Sequence, residues 1–128
     1  LSRANVYLKD DALQKLLTSV IDTIAGFRAN SGDNLVTAII CHGTLGVAHI
    51  FNRLHHNYQT KQVGDAAAYW YAKSDEIMRS EIGFSERSSA SQFAERTGIL
   101  SGIEGIALGV MTFLYPDEYE WDYHFLLS

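Results

Sequence analysis

One pattern occurs twice in this chain. Gly43-Thr44-Leu45-Gly46-Val47-Ala48 and Gly102-Ile103-Glu104-Gly105-Ile106-Ala107 both read Gly-x-x-Gly-(Val/Ile)-Ala, 59 residues apart. Each copy opens an apolar stretch, and each has an amphipathic segment beside it. The repeating unit is therefore a pair of helices. Helix pairs of this period build a solenoid or a closed α/α ring. Glycines at a helix start let the backbone approach a neighbour, because no side chain holds it off. One period before Gly43 falls ahead of Leu1, so the chain is expected to be the last two units of a longer array.

Composition agrees with an all-α fold. There is one Pro in 128 residues, against roughly six at ordinary usage. Hydrophobic residues make up 47% and charged residues 20%, which excludes intrinsic disorder. The length suits one domain with a real core. Ten basic against 15 acidic residues leave a charge of −5, and Lys/Arg never cluster beyond a doublet. No nucleic-acid partner is expected from that balance. A single Cys allows no internal disulfide, and a reducing cytoplasm is its natural compartment. No run approaches the ~18 apolar residues of a membrane span, and no secretory signal pattern follows Leu1. A cytoplasmic protein is expected, with membrane association arising only through partners.

Apolar periodicity predicts four helices. Asp10 and Asp11 can cap the first; its stripe is Leu13, Leu16, Leu17, Val20, Ile21, Ile24 and Phe27. Turn residues from Ala29 to Asn34 stop it. A short apolar run, Leu35 to Ile40, leads into Cys41-His42-Gly43. The second helix is expected over about 44–58 and the third over about 62–79. The polar stretch Ser80 to Thr97, with Ser85, Ser88, Ser89 and Ser91, reads as a binding loop or solvated connector. The fourth helix is expected over about 100–114, ended by Pro116. The tail from Trp121 to Leu127 is expected to pack back on the body.

Cys41 and His42 are the one constellation with chemistry. Thiolate and imidazole are ligands that zinc prefers. Neighbours cannot point the same way from a regular helix, but they can from the turn before one. On spacing alone the doublet is weak, since most Cys-His pairs are incidental.

Its context is more specific. Cys41-His42-Gly43-Thr44-Leu45-Gly46 resembles the Cys-His-Gly-x-x-Gly motif of the lanthionine synthetase C-like family. Gly98-Ile99-Leu100-Ser101-Gly102-Ile103-Glu104-Gly105 resembles that family's last Gly-Leu-Leu-x-Gly-x-x-Gly helix. Trp121-Asp122-Tyr123-His124-Phe125-Leu126-Leu127-Ser128 is similar to its Trp-Asp-x-x-Leu-Leu-Leu-Ser ending. The three motifs stand in the family's order and span most of the chain.

The resemblance implies an α/α toroid, a double ring of helices, of which residues 1–128 would be the C-terminal portion with about two helix-pair repeats. The Gly-led helices would be inner, and those over about 11–28 and 62–79 outer. It further implies one zinc held by two Cys and one His, with Cys41 and His42 matching the second Cys and the His. The first Cys belongs to a Trp-Cys-Tyr-Gly motif one repeat earlier, and no other Cys is present here. The proton-transfer residues would also lie upstream, so no catalytic residue is assigned in this chain. Zinc would belong to the intact protein, and this chain alone is expected to bind it weakly or not at all and to be inactive. In an intact member, a peptide thiolate adds to a dehydroalanine or dehydrobutyrine, forming the thioether rings of lantibiotic-type peptides. The implied partners are the modified precursor peptide and the dehydratase and transporter of a biosynthetic complex. The alternative is a thiol- or peptide-binding relative without cyclase activity. A glycan-processing α/α-barrel ranks last, because it needs a carboxylate pair and only Glu104 is suitably placed.

Plainer roles suit the remaining candidates. His49, one turn into the second helix, is expected to be a packing or hydrogen-bonded residue, with a ligand role as the lesser reading. His55 and His56 suit the negative end of the same helix. No catalytic role is expected for His124. Tyr69, Trp70 and Tyr71 cannot all face one way, so one should reach another element. Glu104 can stabilise a helix start. An isolated helix array would expose apolar faces, so self-association is expected.

Overall fold

The computed structural model describes residues 8–27, 35–85, 97–115 and 121–125, with side chains left aside for 81–85 and 124–125. Among the described residues, four full α-helices, one 3-10 turn and no strand confirm the all-α reading. They are α1 (Asp11–Ala25), α2 (Thr44–Tyr58), α3 (Lys61–Ser85), α4 (Ile103–Leu114) and the turn Trp121–Phe125.

Each boundary has a local cause. The Asp10 carboxylate accepts from the backbone N–H of Ala12 (2.8 Å) and Leu13 (3.0 Å), satisfying the first free donors of α1. That helix ends at Ala25, capped by Gly26, so Phe27 falls beyond the stripe and is exposed. Gly43 (φ −113°, ψ −179°) starts α2 and Gly102 (φ −113°, ψ −178°) starts α4, with nearly identical extended backbones. The residues from Leu100 to Gly102 are a turn, so α4 begins three residues later than periodicity predicts. Gln59, in the left-handed region at φ 49°, ends α2. The third helix runs to Ser85, six residues into the expected connector. Once nucleated, a helix gains a backbone hydrogen bond per added residue, and no Pro interrupts it. Residues 86–96 of that connector, including Ser88, Ser89 and Ser91, lie outside the described residues.

The two residues between α2 and α3 force a reversal. His55, late in α2, lies over Gly64, early in α3. Thr44, at the start of α2, meets Ser74 through a 2.8 Å hydroxyl hydrogen bond. These contacts make the pair an antiparallel hairpin. Helix α2 also packs beside α4, and α1 beside α3. The Gly-led helices therefore neighbour each other, as do the other two.

Between the layers lies the core of Ile21, Ile39, Ile40, Leu45, Phe51, Val63, Trp70 and Ile106. Complete burial of a side chain such as Leu45 contributes about 1.5–3 kcal/mol. Residues 38–40 carry no regular structure yet are buried, so the run before Cys41 plugs the core. Trp70 is buried, and Tyr71 reaches α4: its ring lies 4.2 Å from Phe113 and its hydroxyl donates to the Gly109 carbonyl at 3.3 Å. The α1 stripe is only partly used. Leu17 and Ile21 are buried, whereas Leu16 and Val20 are 61% and 48% exposed.

Candidate metal site

Cys41 and His42 lie in the turn immediately before the cap of α2, and both are exposed. The turn is held from several sides. Gly43 N–H donates to the Ile39 carbonyl (3.1 Å) and Thr44 N–H to the Thr37 carbonyl (2.9 Å). The Cys41 N–H donates to the Leu100 carbonyl at 2.9 Å, joining this turn to the one that precedes α4. Close backbone approach completes it. A Cβ on Gly46 would overlap the Ile40 carbonyl oxygen, and one on Gly105 would overlap that of Ile99. The second glycine of each motif thus meets the carbonyl six residues before it.

An accessible thiol and an accessible imidazole on one fixed turn fit zinc as two donors of a set. No group of three or more His, Cys, Asp or Glu able to hold a metal occurs among the described residues. A complete tetrahedral site needs further donors.

A second polar cluster lies two turns down α2. His49 and Asp122 are each 1% exposed. The His49 Nε2–H donates to Asp122 Oδ2 at 2.9 Å, since an ionised carboxylate only accepts. Arg53 donates through Nε to Oδ2 (2.6 Å) and through Nη2 to Oδ1 (2.9 Å), a forked grip. Burial pushes the Asp122 carboxyl up, but Arg53 and His49 outweigh it and hold it below its usual range. Burial lowers the pKa of His49 despite the pull of Asp122, keeping the ring neutral. Its Nδ1 is buried without a hydrogen-bond partner. His49 is thus a buried, hydrogen-bonded residue, the first of the two readings the sequence offers for it. The sequence marks Asp122 only as part of the Trp-Asp ending and does not mark Arg53; the two lie 69 residues apart, and no local pattern joins them.

The other candidates have structural partners. Glu104 Oε2 accepts from the Gly98 N–H at 2.7 Å, bracing the turn before α4. His55 Nδ1 lies 3.1 Å from the Thr60 carbonyl, at the α2 end, and His56 is exposed. The side chain of His124 lies outside those described.

Residues 1–126 match the family model for lanthionine synthetase C-like proteins. The chain belongs to that family. Searches of curated proteins and of solved structures gave no match. No helix among the described residues is long and apolar enough to cross a membrane.

Proposed function

We propose that this chain is the C-terminal part of a zinc-dependent lanthionine synthetase C-like cyclase, to which Cys41 and His42 supply two of the zinc ligands. The observation that carries this reading is the exposed Cys41–His42 turn at the head of α2, backbone-bonded to the turn before α4. Family membership supports it independently. The two neighbouring Gly-led helices, backed by α3, suit an arc of an α/α toroid.

Zinc held there would favour the thiolate of an incoming peptide cysteine at neutral pH. The chain's own part is to orient that group. Cys41 offers a sulfur donor and His42 a nitrogen donor, and the hydrogen bonds of the turn fix their backbones. Their exposure leaves room for a peptide. The substrate is a dehydrated precursor peptide whose cysteine adds to dehydroalanine or dehydrobutyrine. Its biosynthetic partners are a dehydratase and a transporter.

The test is ring closure by the protein carrying this segment with its upstream repeats. Mass spectrometry after thiol alkylation counts the unreacted cysteines of a dehydrated peptide. Cys41→Ala and His42→Ala should each leave them alkylatable. Full ring closure by both variants would refute the assignment. Peptide binding without ring closure by the unaltered protein would favour the non-cyclase alternative.

A further inference from the structure

The consecutive residues Trp121 and Asp122 grip different helices. The Trp121 indole N–H donates to Thr112 Oγ1 on α4 at 2.8 Å. Asp122 takes the fork of Arg53 and the ring N–H of His49, both on α2. The two grips also touch, since the rings of His49 and Trp121 lie 5.1 Å apart. Asn52 of α2 adds a longer bond, 3.4 Å, to the Thr112 carbonyl.

Helices α2 and α4 are thus fastened at two levels. Near their starts, Cys41 is bonded to Leu100. Further along, the Trp121–Asp122 pair bridges them. Between these levels α4 presents Gly109, whose absent side chain lets Leu45 and Ile40 lie against the backbone. The contact at Gly109 sets how closely the helices approach, with Leu45 seated in the gap that the glycine leaves. The polar fastenings on either side of it add directional bonds to that packing. A bidentate charged bond with 1% exposure of the carboxylate is well suited to that, because its directionality is not diluted by water.

We infer that Trp121–Asp122 is a latch that sets the register of α2 against α4, making Asp122, Arg53 and His49 positioning residues for the Cys41–His42 turn. The consequence for a metal rests on the reading given under Proposed function; the latch does not.

Hydrogen exchange on the whole chain tests it. Asp122→Asn keeps the shape and removes the charge. Trp121→Phe keeps the ring and loses the N–H, and is the milder change should the first variant fail to fold. The amide of Cys41 should exchange at least about tenfold faster in a folded variant, as expected for weakening a charged hydrogen bond. Amides of the α2–α3 hairpin, such as that of Ala67, should change less. Equal acceleration at every amide would mean that the pair only stabilises the fold, and unchanged protection of Cys41 would mean that register is set elsewhere. Either result overturns the latch. Cobalt titration of the same proteins, carried with the upstream repeats, separates the two ideas. Weaker cobalt binding alongside faster Cys41 exchange supports both. Faster exchange with no cobalt band even in the unaltered protein keeps the latch and removes the metal reading.

Discussion

The backbone N–H of Cys41 donates to the carbonyl of Leu100, and the two residues occupy the same position in the two repeats. The bond therefore links one unit to its neighbour at equivalent points. The close approaches of Gly46 to Ile40 and of Gly105 to Ile99 are equivalent in the same way.

Those approaches make a matched pair of predictions. Gly46→Ala and Gly105→Ala each place a methyl group onto a backbone carbonyl, which cannot turn aside as a side chain can. Each should cost about 1–3 kcal/mol or more, read as a lower denaturant midpoint at unchanged slope. Gly98→Ala meets no atom within 4 Å but sits at φ +119°. It should destabilise by about 1–3 kcal/mol through backbone strain alone.

Acid should loosen the protein through His49. Its pKa is lowered from 6.5 by burial, so the unfolded chain binds a proton at that ring before the folded chain does. Stability from this group is present above about pH 6.5 and is lost as pH falls. Asp122, also lowered despite its burial, adds a loss of the same sign below the ordinary carboxylate range. Thermal melts from about pH 7.5 to about pH 5.5 should show a falling midpoint. His49→Gln retains a donor for Asp122 and should flatten that fall. An unchanged slope in the variant would remove His49 from the account.

Zinc should bind this chain alone only weakly. Two donors leave a tetrahedral set incomplete, and affinity should be weaker than about micromolar. Cys41→Ser and His42→Ala should each abolish what remains, as followed by isothermal titration. A tight one-to-one complex would show that other residues complete the site.

Association should follow from the unused half of α1. Leu16 and Val20 lie one turn apart and are exposed, as are Ile103 and Leu114 on α4. Apolar patches beyond a few hundred Å² favour association. Light scattering at micromolar concentration should find dimers or larger species, and Leu16→Glu with Val20→Lys should shift them towards monomer. A monomeric unaltered chain would mean that these side chains do not form a working patch.

The helices were legible because apolar spacing records which face is buried, and Gly43 and Gly102 mark where two of them start. The Cys41–His42 doublet was legible only through its neighbours, since two donors say little without the glycines after them. The far end of α3 was hidden because helix can propagate through polar residues once begun. The Asp122 cluster was hidden for a different reason. Its partners are brought together by the packing of α2, α4 and the tail; until that packing exists Arg53 looks like an ordinary surface charge and Asp122 only like part of a terminal motif.

The two-residue link between α2 and α3 has a kinetic consequence. Neighbouring helices so joined close a short loop, an event on the order of 10–100 ns for about ten residues. Bringing Asp122 to Arg53 closes a loop of 69 residues, at a greater entropic cost. The hairpin should therefore form early in folding and the Asp122 contact late. Substitutions at Val63 or Ala67 should slow refolding, whereas Asp122→Asn should chiefly accelerate unfolding.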